Sequence, residues 1–227
     1  MKNRIVLIIA LLFMSLVQAS AQVLLGNFPQ TNGTINAVKR TANKLFLGGD
    51  FTYVGKATGS LGAYSLENTD SVTIPIEIHG KVSSIVTDAA GKIYIGGDFT
   101  LAGQKHNLVA LNPDFSRDMQ FACSPSGPVN NMLVIGNKLL IAGTFNAVND
   151  QTRIGLAEWQ LSTNSLSSFA PNPDGIIHAL AFDGSRIWVG GSFSFIAGGL
   201  RSSLAALQMD GTLATANFPI NGLVNSL

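Results

Sequence analysis

The chain has 227 residues, 46% of them apolar and only 12% charged, with 24 Gly, 13 Phe, one Cys and a formal charge of +1. It is too apolar for a disordered chain and has too few thiols for a disulfide scaffold or a cysteine-rich zinc site. Its charge gives no electrostatic footprint for nucleic acid or an anionic membrane surface.

At the start, Lys2 and Arg4 precede the apolar run Ile5–Val17, and Ala19-Ser20-Ala21 places small residues where a signal peptidase reads. This is the pattern of a secretory signal peptide over 1–21, with cleavage after Ala21. The apolar run is 13 residues, short of the roughly 20 that span a bilayer as a helix. Cleavage removes Lys2 and Arg4 and no acidic residue, taking the formal charge from +1 to −1. No later stretch is long and apolar enough to span a membrane, so the mature chain is expected to be secreted or at the cell surface. Cys123, alone in an oxidising compartment, is expected to be buried and inert.

The rest of the chain, 22–227, is organised by a phrase that recurs four times. It reads Leu45-Phe46-Leu47-Gly48-Gly49-Asp50-Phe51-Thr52, then Ile93-Tyr94-Ile95-Gly96-Gly97-Asp98-Phe99-Thr100. The third and fourth copies are Leu139-Leu140-Ile141-Ala142-Gly143-Thr144-Phe145-Asn146 and Ile187-Trp188-Val189-Gly190-Gly191-Ser192-Phe193-Ser194. The phrase phenylalanines are 48, 46 and 48 residues apart, a period that marks a repeat architecture. About 15 residues before each phenylalanine lies a short segment: Ile35-Asn36-Ala37-Val38, Val82-Ser83-Ser84-Ile85, Val129-Asn130-Asn131-Met132 and Ile177-His178-Ala179-Leu180. About ten residues after it comes another, opening at Leu61, Leu108, Leu156 and Leu204, and a turn then leads to a fourth segment.

Short β-rich segments separated by Asn-Gly, Asp-Gly and Pro-Asp turns read as antiparallel strands joined by hairpins. Four such strands in 46–48 residues make one blade of a β-propeller, so the predicted class is all-β, with four-stranded blades. The repeats run approximately over 35–80, 81–127, 128–175 and 176–221, with the start of a fifth at 222–227. Asn27-Phe28-Pro29 before Ile35 matches Asn217-Phe218-Pro219 before Val224-Asn225-Ser226-Leu227. That duplication predicts a fragment of a longer protein or an open partial propeller rather than a four-bladed ring.

In the phrase, the consecutive apolar residues suit a strand covered on both faces. The pairs Gly48-Gly49, Gly96-Gly97 and Gly190-Gly191, with Gly143 in the third copy, suit close backbone approach or a strand-ending bend. Phe51, Phe99, Phe145 and Phe193 are expected to plug the space between blades. The phrase, with the downstream Arg201-x-x-Leu204-Ala205-x-Leu207-x-x-Asp210-Gly211, resembles the delta-60 repeat and related kelch-like propellers of secreted bacterial proteins. Similar repeats occur in fungal cortical cell-polarity proteins. The resemblance implies extracellular recognition or adhesion and supplies no active-site residues.

Asn36, Ser83, Asn130, His178 and Asn225 are polar at one aligned position of the innermost strand. They can form a ring on the central channel, either as a ligand site, as the solvated lining of a water-filled channel, or as hydrogen-bond partners of turn backbone. Asp50, Asp98, Thr144 and Ser192 share one slot and are expected to brace a turn by bonding a backbone amide. Arg153 and Arg201, eight residues after their phrase phenylalanine, suit either carboxylate recognition or bracing of the neighbouring blade.

No metal-binding histidine spacing, nucleophile elbow or phosphate loop occurs, and Glu67, Glu77 and Glu158 fall at unrelated repeat positions. No cofactor, metal site or catalytic residue is expected. The sequence therefore points to a non-enzymatic propeller that binds a glycan, a protein or a cell-envelope component. The alternative is a polysaccharide-processing propeller enzyme with part of its site elsewhere.

Overall fold

A computed structural model describes residues 31–54, 56–57, 59–67, 71–218 and 220–227. The expected signal segment and its cleavage point lie outside the described residues. Among those residues all regular structure is β, and the chain forms four antiparallel sheets in succession.

The first sheet contains β1 (Thr34–Arg40), β2 (Lys44–Asp50), β5 (Leu61–Ser65) and β6 (Ser71–Val72), with a short ribbon of β3 (Tyr53–Val54) and β4 (Lys56–Ala57) beside it. The second contains β7 (Ile78–Thr87), β8 (Ile93–Leu101) and β9 (Gln104–Leu111). The third contains β10 (Val129–Ile135), β11 (Lys138–Gly143), β14 (Leu156–Gln160) and β15 (Ser165–Leu166), with a ribbon of β12 (Ala147–Val148) and β13 (Gln151–Thr152). The fourth contains β16 (Ile176–Phe182), β17 (Ile187–Ser192) and β20 (Leu204–Leu207), with a ribbon of β18 (Phe195–Ile196) and β19 (Gly199–Leu200). In every sheet the chain order is also the spatial order, from inner to outer edge.

The outermost strand is shorter than the repeat pattern predicts. In the second and fourth sheets it shrinks to a single bridge, Leu111 to Arg117 and Leu207 to Leu213. Turn chemistry accounts for this. Asp114 Oδ1 accepts from Ser116 N at 3.0 Å with Phe115 at φ 68, and Asp210 Oδ1 accepts from Thr212 N at 2.9 Å with Gly211 at φ 90. These turns fix the chain's return but leave little length to pair, which also blunts the outer edge against further strand addition.

The phrase strand is the middle layer of each blade, and its side chains alternate between two neighbours. Ile93 and Ile95 pack toward the first sheet with Phe46 and Ala37, while Tyr94 packs toward the third with Leu139 and Ile141. One blade later, Leu139 and Ile141 face backward and Leu140 and Ala142 face forward onto Ile177, Ile187 and Val189. A period-two strand buried on both faces is what its near-continuous apolar run requires. Phe99, Phe145 and Phe193 are each buried in the core between their blade and the one before. Phe51 packs instead with Leu47 and Tyr64 on the face of the first blade turned away from the second.

Candidate functional site

Each inner strand carries a β-bulge at the same place. The register with the phrase strand shifts between Ile35 and Ala37, Val82 and Ser84, Val129 and Asn131, and Ile177 and Ala179. The extra residues are therefore Asn36, Ser83, Asn130 and His178. In every blade the shift lies opposite the glycine pair, or opposite Ala142-Gly143 in the third. Ile35 pairs with Gly49 and Ala37 with Gly48, and the other blades repeat this with Gly97 and Gly96, Gly143 and Ala142, and Gly191 and Gly190. A Cβ on the second residue of the pair would overlap the carbonyl oxygen of Thr34, Lys81, Pro128 or Ile176 on the bulged strand. The glycines thus admit the close approach that the bulge needs, and the bulge re-aims one side chain per blade.

These re-aimed side chains meet. Asn36, Ser83, Asn130, His178 and Asn225 line one open depression of about 360 Å³, together with Lys81. Asn225 takes the corresponding place because Val224 packs against Gly190 and donates its N–H to Gly191 O at 3.3 Å. Asn131 Nδ2 donates to His178 O at 3.4 Å, joining two of the inner strands behind the opening. Among the described residues, none of the six lining side chains makes a hydrogen bond or ion pair. The opening therefore offers amide, hydroxyl and imidazole groups, one ammonium and no carboxylate. Sequence reasoning missed Lys81, whose position is held by Thr34, Pro128 and Ile176 in the other repeats and so carries no shared polar signal.

The turn-bracing expectation for the phrase slot is overturned. Asp50, Thr144 and Ser192 make no side-chain hydrogen bond among the described residues, and Asp98 is ion-paired with Lys105 at the surface. The slot sits at the exposed end of the strand. The brace comes from the residue that precedes the inner strand. Asn32 Oδ1 accepts from Thr52 N at 3.0 Å, Ser126 Oγ from Asn146 N and Ala147 N at 3.2 and 3.1 Å, and Asp174 Oδ1 from Ser194 N and Phe195 N at 2.8 and 2.9 Å. The signal was present as polar-Gly pairs, Asn32-Gly33, Ser126-Gly127 and Asp174-Gly175.

Arg153 and Arg201 brace the outer edge of their own blade rather than a neighbour: their guanidinium groups donate to Ser167 O and Ala214 O. Cys123 is buried, and burial pushes its thiol well above the usual range. Trp159 lies in the core between the second and third blades, and Trp188 stacks 5.6 Å from Phe218. The buried Glu158 is held by Lys138 Nζ at 2.9 Å, and that ammonium also reaches Met209 O of the next blade at 3.3 Å. Among the described residues no group of three His, Cys, Asp or Glu is placed to hold a metal ion, and no helix is long and apolar enough to cross a membrane.

Successive antiparallel sheets, stacked face to face with their inner strands around a common opening, define a β-propeller. The model of the Rax2 C-terminal beta propeller domain matches residues 61–199, and the chain belongs to that family. A beta-propeller domain of unknown function, DUF5122, matches residues 185–214. No curated protein matches the chain.

Among solved structures, the chain is similar to the extracellular domain of BT4673 from B. thetaiotaomicron, assigned to a one-component system. The TM-score is 0.52 at 16% identity, over 85% of this chain and 24% of that one. It is also similar to the extracellular domain of BT3049 from the same organism, assigned to a hybrid two-component system. That TM-score is 0.52 at 14% identity, over 89% of this chain and 24% of that one. The computationally designed Ika4 protein matches with TM-score 0.49 at 11% identity, over 79% of this chain and 93% of its own. The chain thus spans about a quarter of the length of the two extracellular domains.

Proposed function

We propose that the chain is a secreted or cell-surface propeller that binds without catalysis, and that its central opening takes a polyhydroxylated ligand such as a glycan. The observation that carries this is the convergence of six polar side chains with no internal hydrogen-bond partner, five on the bulged inner strands and Asn225 beside them. Amides, a hydroxyl and an imidazole can each donate or accept, which suits sugar hydroxyls. The rigid strands hold these groups in place before a ligand arrives, which lowers the ordering cost of binding. Glycoside hydrolysis generally needs a pair of carboxylates at the scissile bond, and the lining of the opening contains none. The leader-like segment 1–21 supports the extracellular reading, and the Gly-Gly-Asp-Phe-Thr phrase supports placing the repeats with the delta-60 type.

A glycan array combined with a turnover screen tests the proposal. Binding without product, lost in the double variant Asn130→Ala/His178→Ala, is the expected result. Product formation abolished by one carboxylate substitution would establish a polysaccharide-processing enzyme instead. Binding unaffected by the double variant would remove the opening as the site.

A further inference from the structure

Three buried polar atoms among the described residues lack a hydrogen-bond partner: Asn107 Oδ1, Arg153 Nε and Arg201 Nε. All three belong to one repeat position, eight residues after Phe99, Phe145 and Phe193. In the third and fourth blades an arginine at this position crosses from the loop to the outer edge. Arg153 donates to Thr152 O at 2.8 Å and Ser167 O at 2.5 Å, and Arg201 donates to Leu200 O at 2.8 Å and Ala214 O at 3.1 Å. In the second blade Asn107 is too short for that crossing, and its amide turns to Pro125 O at 3.0 Å. A pocket of about 270 Å³ occurs there, lined in part by Lys105, His106, Asn107, Arg117, Cys123 and Ser124.

The pocket holds two unmet demands. Arg117 comes in from the outer edge, half-buried, and among the described residues its guanidinium makes a single long approach, Nη2 to His106 Nε2 at 3.5 Å. Among the described residues no carboxylate pairs with it, because Lys105 takes Asp98 and Lys92 takes Asp118. Asn107 Oδ1 is a buried acceptor that needs a donor. A planar guanidinium favours a carboxylate held through two parallel N–H bonds. A buried amide oxygen is satisfied by a hydroxyl. One small molecule that supplies both is a sugar acid, and the cavity is at the small end of ligand pockets.

We propose that this pocket on the rim of the second blade binds a hexuronate, with its carboxylate on Arg117 and, as the Asn107 amide turns into the pocket, a hydroxyl on Asn107 Oδ1. The site is separate from the central opening. The replacement of the repeat's arginine by Asn107 vacates the space, and Arg117 supplies the charge.

Calorimetric titration of the intact chain with glucuronate, glucose and acetate tests this, with an oligogalacturonate as the polymer-borne form. Glucuronate or the oligogalacturonate is expected to bind, with glucose and acetate at least about tenfold weaker. Asn107→Arg restores the arginine found in the later repeats; it should abolish binding without lowering the unfolding midpoint. Arg117→Gln should weaken binding about tenfold or more. Asn130→Ala/His178→Ala should leave uronate binding unchanged, so the two sites fail or stand independently. Absence of binding by both uronates overturns the proposal. So does glucuronate binding that survives Asn107→Arg or Arg117→Gln, or acetate binding as tight as glucuronate.

Discussion

Gly96 and Gly97 are adjacent but answer to different neighbours. A Cβ on Gly97 would overlap Lys81 O, which is backbone fixed by the ladder, whereas a Cβ on Gly96 would lie 2.7 Å from Val129 Cγ1, the end of a side chain on the next blade. The third repeat shows the second kind of crowding relieved, since Ala142 stands at the position of Gly96 and is fully buried near Ile177. Gly97→Ala should therefore cost about 3 kcal/mol or more, and Gly96→Ala about 1–2 kcal/mol. Urea unfolding midpoints of the two variants check the order. The recurring Gly-Gly phrase and the polar ring were both visible in the sequence. The bulge that connects them was not, because a register shift belongs to a pair of strands and neither strand's residues record it alone.

Within a blade, the exit from the phrase strand is held by a residue about 20 positions earlier. Asp174 accepts from two consecutive amides, Ser194 N and Phe195 N, at the start of the β18–β19 ribbon. Asp174→Ala leaves both donors without this acceptor and should destabilise the fold by about 1–2 kcal/mol. Hydrogen exchange should quicken at Ser194 and Phe195 and stay unchanged in β12–β13, which Ser126 secures separately. The second blade has His79 at this position, ahead of Gly80, and manages differently: β8 and β9 run on past the phrase, pairing Phe99 with His106 and Leu101 with Gln104. Strand existence and order followed from turn residues and apolar runs in the sequence. The fourth strands fell short of expectation because the Asp114 and Asp210 turns consume residues that the period had assigned to pairing.

The molecule as a whole relies on aspartates in turns. Asp183 is held far below the usual carboxylate range, chiefly by the Trp188 indole N–H, and Asp114 is lowered by the Ser116 hydroxyl. Asp174 and Asp210 are lowered by the backbone N–H groups of Phe195 and Thr212. Each contributes stability that is present above its unfolded-state value and lost as pH falls through the folded one. His106 is lowered by burial and then by Arg117, so the unfolded chain takes up its proton first on acidification. The melting temperature should begin to decline below about pH 6.5 and fall more steeply below about pH 4. In thermal melts across pH, His106→Gln should remove the upper step and leave the lower one.

The bulges separate two kinds of selection. Asn36, Ser83, Asn130 and His178 project from strands whose neighbouring residues, Ala37, Val82, Val129 and Ile177, are buried in the cores. Their own side chains have no hydrogen-bond partner among the described residues. Changes at these four positions should alter what the opening accepts without disturbing how the blades stack. A combinatorial library randomised there with polar residues should yield mostly soluble members that unfold near the parent midpoint, since surface substitutions usually fall within about 0.5 kcal/mol. The propeller would then be an evolvable display surface, its ligand preference rewritable four residues at a time.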